Sequence, residues 1–258
     1  MKKFMALLLV AGMTLSLTAC GGSTDTAKTD QADGKDTFTV GFDQDFPPFG
    51  YVGDDGEFTG FDIEMATECA ARMGKKIVLQ PIDWDAKDME LEAGTIDCIW
   101  NGFTMNGRED QYTWTDPYMD NSQVVVVKKD SGINTLADLA GKVVEVQKES
   151  AAETALNDEE HADLMASFAQ LLSVGEYNTA FMDLESGAVD AVAIDIGVAQ
   201  FQIEGKEDQY QILDETISSE QYAVGFFLGN TALRDEVQST LLAVSYTHLR
   251  AHETELHL

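Results

Sequence analysis

A two-part α/β fold is predicted by three features of the sequence. From residue 37 onward, strand-like and helix-like segments alternate, the pattern of sheets flanked by helices. The segment Leu91-Glu92-Ala93-Gly94-Thr95-Ile96-Asp97 is echoed by Leu184-Glu185-Ser186-Gly187-Ala188-Val189-Asp190, each a helix end, a glycine stop and an acid leading into an apolar strand. Polar residues follow both of those strands, Asn101 to Thr104 after the first and Asp195 after the second. Ligands of open α/β sheets gather at such carboxyl ends. Two lobes of similar construction that present these ends to each other enclose a cleft.

The elements follow in order. Phe38 to Phe42 reads as a strand. Asp62 is placed to cap a helix whose apolar face is Ile63, Ala66, Ala70 and Met73, at helical spacing, with Gly74 ending it. Ile77 to Leu79 is the next strand; a helix then runs to about Glu92 and stops at Gly94. Asp97 to Trp100 is a strand. Val124 to Val127 is fully apolar, as buried parallel strands tend to be, and Val143 to Val146 and Val189 to Ile194 repeat that type. Tyr177, Ala180, Phe181 and Leu184 mark a helix between them, and Thr231 to Ala243 reads as a helix with Leu233, Val237 and Leu241 inward.

The chain has 258 residues and a mass of 28.2 kDa, enough for two lobes of about 100 residues each with a sizeable core. Sixteen Lys+Arg against 46 Asp+Glu give a formal net charge of −30 and a pI near 4.1. So acidic a surface repels phosphate backbones and anionic lipid, which argues against nucleic acid as a partner. Four His and three Cys supply neither a Cys-rich zinc module nor a disulfide scaffold, and no metal or cofactor is expected. Cys69 falls in a helical pattern and Cys98 in an apolar strand; buried free thiols and a disulfide are both open at this point.

Lys2 and Lys3 precede an apolar run from Phe4 to Leu17, too short for a stable membrane span but suited to a signal-peptide core. Leu17-Thr18-Ala19-Cys20 resembles a bacterial lipobox, in which Cys20 is lipidated and becomes the first mature residue. Residues 1–19 are then a signal peptide, and residues 20–36, with no large apolar side chain, are the lipidated Cys and a flexible tether. The mature protein is expected outside the cytoplasm, anchored to the cell membrane by lipid. At the other end, residues 245–258 shift abruptly in composition and hold three of the four His; they resemble translated sequencing-adapter read-through and are expected to be non-native.

Arginine is assigned by elimination. Arg72 sits at a helix C-terminus, Arg234 lies in an amphipathic surface helix, and Arg250 is in the tail. Arg108 alone follows a Gly-containing turn after a core strand, where a guanidinium offers a planar fork to a carboxylate; an ion pair with one of the many acids is the competing role. Ser150-Ala151-Ala152-Glu153 fits a capping box opening a helix, whose free N–H groups can also receive an anion. Asp195 follows Ala193-Ile194 directly and either meets a cation or caps the next helix. In Asp43-Gln44-Asp45-Phe46-Pro47-Pro48-Phe49 the prolines fix a bend after a strand, and Phe46 and Trp84 are either walls for a ligand side chain or ordinary core.

Taken together, Val40 to Asp43 with Pro47-Pro48-Phe49, Gly60-Phe61-Asp62, Asn101-Gly102-Phe103-Thr104 with Arg108, and Asp116-Pro117-Tyr118 resemble the polar amino-acid substrate-binding proteins of ABC transporters. Leu139-Ala140-Gly141-Lys142 to Gln147, and Gly187 to Asp195, extend the resemblance, which covers about residues 37–244. It implies a type II periplasmic-binding-protein-like fold: two α/β lobes, each a sheet flanked by helices, with a hinge crossed twice. Lobe 1 is then expected at 37–127 plus 223–244 and lobe 2 at 128–222. It implies that Arg108 clamps a ligand α-carboxylate and that Asn101, Gly102 and Thr104, with Gln147 and the helix start at Ser150 and Ala151, surround the amino-acid head group. Asp195 pairs the α-ammonium, Asp43 faces the ligand side chain, and Phe46 and Trp84 are apolar walls. Three departures from the family pattern stand out: a Thr104–Arg108 spacing one residue short, Glu149 where glycine is common, and Ala151 in place of a hydroxyl residue.

The function so implied is a non-enzymatic, monomeric receptor that captures a free polar or cationic amino acid and delivers it to an ABC permease and ATPase. Lys, Arg, His, Gln and cystine all remain open as ligands. The alternatives are an enzyme on the same fold, such as a dehydratase or a lytic enzyme, and a sensory ligand-binding domain. His161 is the sole His before the tail, so no Ser-His-Asp or Cys-His set supports the first.

Overall fold

The computed structural model describes residues 36–255, and the side chains of 36–243. The expected signal peptide, Cys20 and the expected tether through Lys35 lie outside the described residues. Strand β1 (Thr37–Phe42) is followed by β2 (Asp45–Phe46), β3 (Gly50–Val52), β4 (Phe58–Thr59), α1 (Phe61–Arg72), β5 (Lys76–Pro81), α2 (Lys87–Ala93), β6 (Cys98–Ile99) and β7 (Thr113–Trp114). Next come β8 (Met119–Lys128), β9 (Val143–Gln147), α3 (Ala151–Leu156), α4 (Ala162–Ser167), β10 (Gln170–Val174), α5 (Tyr177–Ser186), β11 (Ala191–Asp195), α6 (Ile196–Ile203), β12 (Tyr210–Ile212) and β13 (Ser218–Tyr222). The described residues end with β14 (Gly225–Phe226) and α7 (Thr231–Glu255).

These elements form two α/β lobes. The first sheet has the order β5-β1-β6-β14-β7, the second β10-β9-β11-β8-β12 with β13 also on β8, and β2, β3 and β4 make a small third sheet. In both main sheets three strands are parallel, β5-β1-β6 and β10-β9-β11, and the remaining pairings are antiparallel. The first core packs Phe38, Val40, Met65, Ala66, Cys69, Ala70, Cys98 and Trp100 against Val237 and Leu241 of α7. The second packs Val125, Val127, Val144, Val146, Ala191 and Ala193 under α3 on one face, and Val124, Val126, Val192 and Ile194 under α5 and α6 on the other. Burying both faces of these strands is what their unbroken apolar runs signal.

Four sequence expectations change. Val124 to Val127 lie in β8, which is antiparallel to β11, β12 and β13 rather than parallel; an apolar run reports burial on both faces and not direction. Because β8 belongs to the second sheet, the chain crosses between sheets before Met119, not at 127/128 as expected; it returns between β13 and β14. Helix α1 is capped at Gly60, so Asp62 sits inside its first turn and turns its carboxylate into the fold. Helix α7 runs without a break from Thr231 through Glu255, past the expected stop at Ala243. Cys69 and Cys98 are both buried free thiols of the same core cluster, and burial pushes the Cys69 thiol up to about 12.

Candidate functional site

Between the lobes lies a small cavity lined by Phe46, Trp84, Asn101, Gly102, Thr104, Arg108, Gln147, Ser150, Ala151 and Asp195. Five separate chain segments contribute, and each does so where a strand has just ended or a helix is starting. Of the residues picked out from the sequence within the described range, Asp43 alone is not on the lining. It stands behind Gln147, whose Nε2 donates to Asp43 Oδ2 at 2.6 Å and to Gly175 O at 2.9 Å. Asp43 Oδ1 accepts from Asp45 N at 2.8 Å, and burial raises its carboxyl to about 6.

The first-lobe wall comes from the loop after β6. Gly102 adopts φ 56, and a Cβ there would lie 2.8 Å from Phe46 Cε1 and 3.2 Å from the Tyr222 ring, so only glycine brings the backbone this close to its neighbours. Its N–H donates to Asp62 Oδ2 at 2.6 Å, and Tyr118 Oη donates to the same oxygen at 2.9 Å. Burial raises the Asp62 carboxyl to about 7 against the opposing effect of those bonds. Asp62 thus ties the loop floor to the segment that leads into β8.

Arg108 donates from Nη1 to Thr104 O at 3.2 Å and from Nη2 to Glu149 O at 3.3 Å, with its guanidinium over the Phe103 ring at 5.5 Å. Among the described residues these partners are backbone carbonyls, not carboxylates. The cation is therefore held in place with its charge unpaired, at the rim of the cavity. Trp84 packs edge-on against Phe103 at 5.5 Å, while Phe46 reaches from the first lobe into the core of the second beside Tyr177. Both aromatics serve as wall and as core at once.

The second-lobe wall is acidic. Asp195 occupies the N-cap position of α6 but makes no side-chain cap bond. Its Oδ1 instead accepts from Asn121 Nδ2 at 2.8 Å, Gln123 Nε2 at 2.7 Å and Tyr222 Oη at 2.5 Å. Burial, and then the charge of Glu220, push its carboxyl well above the usual range. Asn101 Oδ1 and Gln123 Oε1 are buried acceptors with no hydrogen-bond partner. At α3, Ser150 accepts from Glu153 N at 3.1 Å as a cap should, but the Glu153 carboxylate reaches Glu149 N at 2.6 Å rather than the cap residue's own N–H.

Side chains from the two lobes meet directly. Lys148 pairs with Asp85 at 2.7 Å, the buried Lys87 with Glu149 at 2.9 Å, and Asn178 Nδ2 donates to Asp45 Oδ1 at 2.7 Å. The cleft is closed. Glu149 sits at φ 58, in the left-handed region that favours glycine. Asn121, Gln123, Glu220 and Tyr222 of β8 and β13, and Lys87, were not anticipated from sequence. Their one available signal was alternation on β13, where Glu220 and Tyr222 are buried and Ser219 and Gln221 are not.

Comparison with known proteins adds independent findings. Residues 38–249 match the family described as bacterial extracellular solute-binding proteins, family 3. The chain is 29% identical over 240 residues to the L-cystine-binding protein TcyJ of Escherichia coli strain K12, covering 92% of this chain and 86% of the relative. It is 29% identical over 244 residues to the arginine-binding extracellular protein ArtP of Bacillus subtilis strain 168, covering 93% and 92%. A solved ABC uptake transporter substrate-binding protein from Streptococcus pneumoniae, with bound histidine, superposes with a TM-score of 0.77 at 32% identity over 81% of this chain and 87% of that one.

Proposed function

The chain belongs to the bacterial extracellular solute-binding proteins, family 3, and on that premise we propose that it captures a free polar or cationic amino acid between its lobes and hands it to an ABC importer. One observation carries this reading. Arg108 from the first lobe and Asp195 from the second line the same closed cavity, and neither is neutralised by a partner of opposite charge among the described residues. A zwitterion is the ligand whose two poles match. Its α-carboxylate meets the Arg108 fork and the Ser150–Ala151 helix start. Its α-ammonium, a donor-only group, meets Asp195, Thr104 and the unpartnered acceptor on Asn101. Phe46 and Trp84 flank the ligand side chain, with Gln147 and the Asp43 behind it at the far end.

The closed arrangement is the form a permease recognises, and ligand stabilises it because it touches both lobes at once. The relatives are named as binding proteins, which fits capture without turnover. As a member of an extracellular family the protein works outside the cytoplasm. Lipidation at Cys20 is the proposed anchor, and Cys20→Ser should shift the protein from the membrane to the soluble fraction. The capture reading is tested by a thermal-shift screen of the free amino acids and cystine. Selective stabilisation by one or a few is expected, since binding to the native state raises stability by mass action. No shift with any of them overturns it.

A further inference from the structure

Asp195 is not alone at its pole. Glu220, on β13, is buried, and its Oε1 accepts from Asn121 Nδ2 at 2.7 Å, from Gln123 Nε2 at 2.7 Å and from Thr104 Oγ1 at 3.0 Å. The same two amide nitrogens also donate to Asp195 Oδ1, at 2.8 and 2.7 Å. Two carboxylates are thus clamped on one pair of amides. Asp195 and Thr104 line the cavity, and Glu220 stands behind both.

The groups around the pair offer it no counter-charge. β8 contributes the amides of Asn121 and Gln123, and β13 the Tyr222 phenol, which donates to Asp195. From α5 comes the buried Tyr177 phenol, and beyond Tyr222 lies Tyr118. From the first lobe come Thr104 and Arg108, and the guanidinium of Arg108 is bonded to Thr104 O and Glu149 O. Two like charges so close and so dry do not both ionise readily; one proton stays with the pair.

We propose that Glu220 is a positioning and specificity residue: it makes the ammonium pole a two-acid trap that holds a proton while the cleft lacks ligand and gives that proton up when a ligand ammonium is seated. The exchange balances simply. The ammonium keeps all its hydrogens, the carboxyl O–H bond breaks, both acids become carboxylates around one cation, and the proton passes to solvent. Thr104 fits the same scheme, because its hydroxyl hydrogen is spent on Glu220 and its oxygen is left to accept from the ligand. A ligand lacking a full cation at this point cannot replace the proton and is refused. The inference rests on the amino-acid-capture reading.

The test is calorimetric titration of the full chain with L-arginine first, then L-cystine and L-histidine, near pH 6.5 in two buffers of different ionisation enthalpy. Wild-type protein is expected to release about one proton per ligand bound, and its affinity should weaken by up to tenfold per unit as the pH falls below the pair's titration. Glu220→Gln should reduce both the release and the pH slope, leaving the part that burial of Asp195 alone causes, and Glu220→Asp should restore them. The wild-type proton count stands even where a variant fails to fold. Binding by the wild type with no proton release at any pH overturns the inference and leaves amino-acid capture intact. Unchanged slope in a folded Glu220→Gln protein also overturns it. No binding of any of the three probes, together with a blank thermal screen, removes the capture reading itself.

Discussion

In the first lobe β1 lies between β5 and β6; in the second β9 lies between β10 and β11. In both, a helix stops at a left-handed glycine, Gly94 at φ 72 and Gly187 at φ 82, before the third of these strands. In both, an acid then locks onto the central strand. Asp97 donates from its N to Thr39 O at 2.8 Å and accepts from Thr39 N at 2.7 Å. Asp190 does the same with Val143, at 2.9 Å each way. The lobes diverge only after that. Past β6 the chain makes an open loop that delivers Asn101, Gly102, Thr104 and a cation, Arg108; past β11 it enters α6 at once and delivers an anion, Asp195. One frame used twice places loop ends opposite each other, and the residues beyond the frame decide which charge each pole carries.

The largest expected effect removes that difference. Arg108→Ala and Asp195→Asn should each weaken binding of the stabilising amino acid by about 3–5 kcal/mol, because each leaves one buried ligand charge unpaired. Calorimetry on both variants checks it. Comparable losses support two matched poles, whereas full affinity in either variant shows that one lobe alone holds the ligand.

Much of this frame was legible in the sequence, and the reasons are local. The echo of Leu91–Asp97 in Leu184–Asp190 carried the helix stop, the strand start and the locking acid within seven positions of chain. Arg108 stood out because few arginines compete with it, and Asp195 because an acid directly after an apolar strand has nowhere to go but the strand end. What stayed hidden depends on pairing between distant segments. Asn121 and Gln123 face Glu220, Tyr222 and Asp195 only because β8 pairs with both β13 and β11. On its own, Ser218 to Tyr222 reads as a polar, solvated strand. Asp43 was expected to face the cavity and instead stands one layer behind it, since nothing in the sequence indicates that Gln147 comes between.

A smaller effect separates two of the buried acids. Asp62 in the first lobe is raised from 3.8 to about 7 by burial, and does not line the cavity; Asp195 in the second is raised by burial and by Glu220, and does. A group whose folded pKa is raised holds a proton that the unfolded chain releases. Its stabilisation is complete below about pH 3.8 and is lost as the pH rises through about 7. Ligand-free protein should therefore lose about 1 kcal/mol of stability per pH unit for each such group across that window. Urea midpoints at several pH values check it. Asp62→Asn should remove its share of the slope with or without ligand, while bound amino acid should remove only the Asp195 share. A slope unaffected by Asp62→Asn would mean that this carboxyl does not titrate between folded and unfolded states as described.

The smallest effect sits where the lobes touch. Glu149 holds a left-handed backbone at φ 58, which costs a non-glycine residue about 1–2 kcal/mol, and its carboxylate meets Lys87 across the cleft at 2.9 Å. Glycine would relieve the strain and lose the ion pair. Lys87 is only 3% exposed and keeps a 3.4 Å contact to Trp84 O and the Trp84 ring at 5.4 Å, so it is not wholly stranded. The two effects oppose each other, and Glu149→Gly should change global stability by less than about 1 kcal/mol. The interlobe equilibrium feels only one of them, because the strain is present in the open and closed forms alike and the ion pair exists only when closed. Ligand-free Glu149→Gly protein should therefore populate more open cleft, seen as a larger radius of gyration by small-angle scattering, at a nearly unchanged melting point. A lower melting point with no change in radius would place the pair's contribution within one lobe's fold rather than in the closure between them.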